Sequence, residues 1–412
     1  LYARRQIMKI AIIVRRLNVN GGTQRQAVSL ARELQIMGHD VALYTLALNL
    51  AHCYPHILKD LKVKHAKEDF LPGGGLFAML AKHSGMVREN FMAKRLALMI
   101  DPQTEVLNPH DGIADRVAYF FKKHIKKAPV VWSMNDIPLY KWARTKSKLI
   151  GEPSRFKLTQ RLGMALQDFL ERRLFIPAQD VIVVLDRFNQ QLVMRYLGRE
   201  SAVARSGIDA REFRFKERKA IAGKTVRLLV SGILFPHRRF EDAIEAVSLL
   251  LEGGFDPYLT IIGDTESSPA YYQKLSALVI TLGLSERVRF LGEIPEGELL
   301  QAYQDHDIFI FPNKLQTWGL SVFEAMISGM PVIVSRGAGA HEVLTDLKHC
   351  VLVNPNDPAN IARAIRELIL NPRLYESLSA NGAAYIRSNF LWRNYAQSML
   401  KVFNEARGGL RL

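Results

Sequence analysis

Residues 9–45, KIAIIVRRLNVNGGTQRQAVSLARELQIMGHDVALYT, decide the fold. Lys9–Val14 is a short run of apolar and β-branched residues, the composition of a strand covered on both faces of a parallel sheet. Gly21 and Gly22 turn the chain. Ala27, Leu30, Ala31 and Leu34 then recur at helical spacing until Gly38 stops the helix, and Val41–Thr45 reads as the next strand. Strand, helix and strand make one βαβ unit. The alternation continues with Val106–Asn108, a helix from about Gly112 to Ile125, then Val130–Ser133 and Val181–Leu185. After a polar junction at Ser206–Lys224 a second series begins. Its strands are Val226–Ser231, Leu259–Ile262, Val288–Leu291, Ile308–Phe311, Pro331–Val334 and Val351–Val353. Two such series predict two doubly wound α/β domains, each a parallel sheet with helices on both faces.

Bulk properties agree. A chain of 412 residues with 48% apolar residues has the length and the apolar content for two cores. The boundaries expected are 1–205 for the first domain, 206–384 for the second and 385–412 for a helix returning to the first. Tyr385, Phe390, Trp392 and Tyr395 are its packing residues. Cys53 and Cys350 form neither a disulfide framework nor a metal-ligand spacing, which points to a reducing, cytosolic compartment. No apolar run approaches the roughly 20 residues of a spanning helix. Leu1–Ile7 is basic without the apolar stretch of a signal peptide and reads as an upstream extension.

The net charge of +16 is unevenly placed. Residues 1–200 carry 32 Lys and Arg against 17 Asp and Glu, whereas the remainder carries 24 against 23. A basic half attracts anionic partners such as a phospholipid surface, and equally suits a solvated face. Residues 70–100 raise the same choice. After the turn LPGGG, Leu76, Phe77, Met79 and Leu80 interleave with Lys82, His83, Arg88, Lys94 and Arg95. A basic amphipathic helix of this kind lies on a membrane or packs on the sheet, and packing is preferred.

Chemistry is written most specifically in the second half. Gln316-Thr-Trp-Gly319-Leu-Ser-Val-Phe-Glu324-Ala-Met-Ile-Ser-Gly329-Met-Pro331-Val follows a buried strand. Gly319 permits close backbone approach, the residues after it offer helix N-terminal amides to an anion, and Glu324 is placed to accept two ribose hydroxyls. Ser335–Glu342, SRGAGAHE, puts a second glycine-rich loop between a strand and a helix. Two such loops at adjacent strand ends cradle a diphosphate. In the first half, Asn18–Thr23 brings the backbone close to a ligand at a helix start, without the GxGxxG pattern of a dinucleotide enzyme.

These stretches resemble the E-x7-E region of the family 4 retaining glycosyltransferases, whose fold is GT-B: two Rossmann-like domains facing a central cleft. Asn108-Pro-His110-Asp111, Arg205-Ser-Gly207-Ile-Asp209, Gly232–Ala246 and Val288–Gly292 are similar to further family segments in the same order, so the resemblance covers nearly the whole chain. It implies a retaining hexosyl transfer from a UDP-, GDP- or ADP-sugar to a hydroxyl of a glycan or lipid-linked saccharide, with no cofactor. A soluble acceptor and a non-catalytic sugar-nucleotide-binding homologue are the other readings. By resemblance, Gly21 and Gly22 face the distal phosphate, and His110 lies beside the transferred sugar. Arg238 replaces the family's lysine on the diphosphate, keeping a charge with a fork of donors. Glu324 holds the ribose. Gly232, Gly292, Gly319, Leu320, Gly337 and Gly339 line the donor.

The sequence also departs from the pattern. Gln316 stands where the first glutamate belongs, and a neutral amide is neither nucleophile nor base. Ile233 replaces an arginine, for which Arg239 is a substitute. Asn135-Asp136 replaces His-Asp, and Ala338 replaces a glycine. Asn135, Asp136, Arg15 and Arg16 are acceptor-side candidates, and Trp318 is read as a packing residue. No Asp-x-Asp sits at an evident cleft position, so no metal is expected. The transition state is oxocarbenium-like, reached by front-face attack while the two domains close on the donor. A protein lying in the cytoplasm, peripheral to the inner membrane face and binding no nucleic acid, is the expectation.

Overall fold

The computed structural model describes residues 7–66, 85–149, 157–315 and 318–409. The chain divides into two compact units, one gathering Leu1–Ser147, Pro153–Ser206 and Trp392–Leu412 and the other built on Gly207–Leu391.

The first unit runs β1 (Lys9–Leu17), α1 (Gly22–Ile36), β2 (Asp40–Leu48), α2 (Pro55–Leu58), β3 (Lys62–His65), α3 (Gly85–Met99), β4 (Val106–His110), α4 (Ala114–His124) and β5 (Val131–Ser133). It continues through α5 (Tyr140–Leu149), α6 (Leu158–Leu170), β6 (Val181–Val184), α7 (Arg187–Leu197) and β7 (Ala202–Val203). The sheet order is β3-β2-β1-β4-β5-β6-β7, every pair parallel. Ile10 of β1 sits between Val41 and Val106, so the first strand is the centre from which the chain winds outward in both directions. Its apolar residues are buried because helices cover both faces of a parallel sheet.

α3 settles part of the choice over residues 70–100. Met92, Ala93, Leu96 and Ala97 are buried in the core beside α4, which is the packing outcome. LPGGG and Leu76–His83 lie outside the described residues.

The second unit repeats the plan with β8 (Thr225–Ser231), α8 (Phe240–Glu252), β9 (Asp256–Ile262), α9 (Pro269–Thr281), β10 (Val288–Gly292) and α10 (Glu296–Asp305). There follow β11 (Ile308–Phe311), α11 (Leu320–Ile327), β12 (Val332–Ser335), β13 (Val351–Val353), α12 (Pro358–Leu370) and α13 (Pro372–Asn389). The order β10-β9-β8-β11-β12-β13 is again parallel. Leu228, Val230, Ile244, Val247, Leu259 and Ile365 fill its core.

The chain re-enters the first unit later than 385. Tyr385 stacks on His349 with ring centroids 4.0 Å apart, and Phe390 stacks on Phe323, so both stay with the second unit. Only α14 (Trp392–Arg407) joins the first. It buries Trp392, Tyr395, Met399 and Phe403, and Arg407 pairs with Glu105 at 2.8 Å.

In each sheet the winding direction reverses between two neighbouring strands, β1 and β4 in one and β8 and β11 in the other. The carboxyl ends of the strands flanking such a reversal are the usual ligand position in doubly wound folds.

Candidate functional site

In the second unit four features meet at the β8–β11 reversal. Gly232 follows β8 with φ 146°, and a Cβ there would lie 3.7 Å from the Arg238 guanidinium. Arg238 closes the 3-10 turn Pro236–Arg238, with its guanidinium carbon 5.7 Å from the centre of the Phe311 ring. Phe311 ends β11. Gly319 has φ 82°, and an added Cβ would lie 2.9 Å from that same ring. Glycine is required at 319 on both counts, backbone and space. α11 then starts at Leu320 with no side-chain cap and no acidic residue in its first turn. A cation and an uncapped helix start therefore converge, which is an anion site. Burial pushes the Arg238 pKa down to about 10, so the group stays charged at neutral pH.

Glu324 stands one turn into α11, half-buried. Its Oε2 accepts from the Tyr303 hydroxyl at 2.9 Å, and that hydroxyl lies 3.5 Å from Ser231 Oγ at the end of β8. Burial, with the Glu324 carboxylate next, drives the Tyr303 phenol well above its ordinary pKa, so it remains a donor. The Ser231–Tyr303–Glu324 line orients the carboxylate from behind. Sequence reading missed Tyr303. The available signal was a tyrosine on the buried side of α10, whose hydroxyl needs a partner.

Neighbouring loops pack on one another here. Lys314 N donates to His237 O at 2.9 Å. At Gly337 a Cβ would come within 2.5 Å of Asn313 O, so the loop after β12 packs backbone to backbone on the loop after β11. Gly339 is buried and opens only the 3-10 turn Gly339–Glu342, not the helix expected after SRGAGAHE. The chain turns there toward β13 instead. Gly263 was also missed: a Cβ there would fall 1.9 Å from Gly232 O. Gly292 ends β10 with φ 70° and open space around it.

Arg239 departs from its expected task. It caps α8 in the left-handed region, φ 55°, and its guanidinium pairs with Glu241 at 2.8 Å and Asp242 at 2.5 Å. Two local carboxylates hold it, so it is no substitute for the arginine that Ile233 displaced. Ile233 itself is exposed. Gln316 lies outside the described residues.

In the first unit the β1–β4 reversal is chemically different. Gly21 caps α1, where a Cβ would meet Gln24 Oε1 at 2.5 Å; Gly22 has open space, and α1 has no acidic residue in its first turn. His110 ends β4, fully buried. Asn108 Nδ2 donates to Val131 O at 2.6 Å and Ser133 Oγ at 3.0 Å, which leaves Asn108 Oδ1 as the acceptor facing His110 Nε2 at 2.9 Å. The proton therefore belongs on Nε2, and the buried Nδ1 is a lone-pair acceptor without a donor among the described residues. Burial lowers the His110 pKa to about 3, so the ring is neutral. Asp111 follows with φ 66°, and burial, opposed by Arg15 and Arg16, raises its carboxyl to about 8.

The acceptor-side candidates are partly committed. Arg15 pairs with Glu89 at 2.7 Å. Arg16 is exposed, its carbonyl accepting from Gln24. Asp136 accepts from Trp142 Nε1 at 2.7 Å and pairs with Lys146 at 2.6 Å, which makes it an anchor for α5. Asn135 Nδ2 is buried with no acceptor among the described residues. Trp318 packs on Phe323 and Phe390.

Comparison with known proteins bears first on the second unit. Residues 211–385 match the model of the glycosyl transferases group 1. Mannosylfructose-phosphate synthase of Agrobacterium fabrum is 28% identical over 198 residues, covering 47% of this chain and 43% of that protein. A D-inositol 3-phosphate glycosyltransferase of Streptomyces bingchenggensis is 28% identical over 224 residues, covering 51% and 49%. The chain thus spans about half the length of these curated relatives. Glycogen synthase of Mycobacterium tuberculosis is 24% identical over 406 residues, covering 95% and 93%. Among solved structures, Anabaena HepE in complex with UDP and glucose superposes with TM-score 0.72 at 15% identity, covering 96% of this chain and 100% of that one. The fold is GT-B, with two Rossmann-like units.

Proposed function

We propose that this group 1 glycosyltransferase chain moves a hexose-type sugar from a nucleoside-diphosphate sugar to a hydroxyl of a glycan or lipid-linked saccharide, retaining the anomeric configuration and using no metal. The convergence of Arg238, the uncapped start of α11 and the Tyr303-held Glu324 at one strand reversal carries the reading. The diphosphate takes the Arg238 guanidinium and the amides after Gly319, and the ribose hydroxyls take the Glu324 carboxylate. The solved relative that binds UDP and glucose supports a donor of that class.

In the transfer, the bond from the anomeric carbon to the diphosphate oxygen breaks and the acceptor oxygen bonds to that carbon. The acceptor proton passes to the departing phosphate oxygen. Arg238 and the helix amides meet the charge that develops on the leaving group, the term that contributes most in many enzymes. Gln316 is an amide and forms no glycosyl-enzyme, which favours front-face attack. His110 Nδ1 is a neutral acceptor for a sugar or acceptor hydroxyl. The basic first half of the chain draws it to an anionic membrane surface, where lipid-linked acceptors reside.

A thermal-shift screen of UDP-, GDP- and ADP-sugars tests the donor site, because a ligand of the folded state raises its stability by mass action. One class stabilises the wild type, and Glu324→Ala and Arg238→Ala lose both that shift and donor turnover. Stabilisation surviving in both variants would refute the site. Donor binding without any transfer or donor hydrolysis would leave a binding protein rather than an enzyme.

A further inference from the structure

We propose, building on the membrane-side acceptor above, that α6 is an interfacial helix whose Leu158, Leu162, Leu166 and Phe169 enter the headgroup region of an anionic lipid bilayer. These residues are spaced four, four and three apart, which places them on one side of a helix. They are 70%, 64%, 50% and 56% exposed, and none of the thirteen residues of α6 is buried. The contrast within the unit is clear: α3, α4 and α7 each bury an apolar face, while leaving single residues such as Leu98 and Met194 exposed. A helix with a continuous apolar stripe and no core contact is built to bury that stripe elsewhere.

Charge says against what. α5 carries Lys141, Arg144, Lys146 and Lys148 with no acidic residue. Lys157 before α6, Arg161 on it and Arg173 after it add cations beside the stripe, and the Arg173 guanidinium lies 5.9 Å from the Phe169 ring centre. The one acidic residue of α6, Asp168, is used internally. Its carboxylate accepts from the Tyr140 and Lys141 amides at 2.7 and 3.2 Å and ties the start of α5 to α6. Cations flanking exposed leucines match anionic headgroups above acyl chains, since long basic side chains reach the headgroups while their stems stay in apolar surroundings.

The root of the helix is rigid. α6 passes into the π-helical turn Glu171–Phe175, where Glu171 is buried and pairs with buried Arg116 at 2.7 Å and Phe175 is buried under the Arg116 guanidinium.

Co-sedimentation of the full chain with vesicles tests the surface. Phosphatidylcholine vesicles containing about a third phosphatidylglycerol should pull down the wild type, and pure phosphatidylcholine vesicles should not. Leu162→Gln with Leu166→Gln should lower partitioning at least tenfold. These side chains are exposed, so the fold and the donor-induced thermal shift should persist. A Phe169→Trp variant should show blue-shifted emission on the anionic vesicles. Equal sedimentation of wild type and double variant, or an unmoved Trp emission, would overturn the proposal, as would sedimentation-equilibrium evidence that the double variant abolishes a dimer while vesicle binding is absent. A lost thermal shift with intact vesicle binding would instead count against the donor site alone.

Discussion

Replacing His110 by glutamine should remove one acid-sensitive contribution to stability. The ring is fully buried and neutral, with its pKa lowered to about 3 from an unfolded value of 6.5. A depressed basic group stabilises the fold above pH 6.5, and this contribution falls as pH drops toward 3, because only the unfolded chain takes the proton. Between pH 8 and pH 5 this one residue costs about 2 kcal/mol, from the difference in proton binding of the two states. Asp111 works in the opposite direction: its folded pKa, raised to about 8, yields stability that is lost as pH rises. That term is common to both proteins and cancels in the comparison. Glutamine can still donate to Asn108 Oδ1, so the variant removes the titration with little change in packing. The assay is urea unfolding at pH 8 and pH 5 followed by tryptophan fluorescence, since Trp132, Trp142 and Trp392 all lie in the first unit. The wild type should lose about 2 kcal/mol more than His110→Gln over that interval. Parallel losses within about 0.5 kcal/mol would show that His110 titrates freely, and the tautomer argument would fail with it.

Tyr303→Phe should weaken binding of the donor found by the thermal screen about 5- to 20-fold, equivalent to the loss of one hydrogen bond to a charged group, about 1–2 kcal/mol; unchanged affinity in titration calorimetry would remove Tyr303 from the site. Arg239→Gln should leave donor affinity within about threefold while lowering the melting temperature, because the guanidinium serves Glu241 and Asp242. A large loss of affinity there would reinstate it as a phosphate ligand. Gly319→Ala should cost about 2–3 kcal/mol in unfolding read by Trp318 fluorescence, through its left-handed backbone and the Phe311 ring. Gly292→Ala, left-handed but in open space, should cost nearer about 1 kcal/mol.

Strands covered on both faces were legible because their apolar runs are continuous: Ile308–Phe311 and Val351–Val353 fall where the sequence puts them. β3, KVKH at the edge of the first sheet, half-exposed and alternating with lysines, carries no such run. The helix expected after SRGAGAHE is a single 3-10 turn, because the glycines there serve a close backbone approach at Gly337 rather than a helix start. At the site, residues tied to backbone geometry were readable. Gly232 and Gly319 both need the conformations that glycine permits. Contacts across elements were not: nothing in the spacing of Tyr303 and Glu324 shows that α10 and α11 bring them together. Arg239 was misread although the carboxylates at positions 241 and 242 stood in plain view two and three residues on.

Net charge and local chemistry point in opposite directions in this molecule. The first 200 residues hold an excess of Lys and Arg, 32 against 17 acidic residues, yet their strand reversal presents a neutral imidazole and a carboxyl that burial keeps protonated up to about pH 8. The second half is close to neutral, yet its reversal carries Arg238 and an uncapped helix start. The surplus cations of the first unit lie elsewhere, several of them on α5 and beside the bare leucine stripe of α6. A single arginine beside a glycine and a phenylalanine ring thus sets the second reversal apart from the bulk charge of the chain.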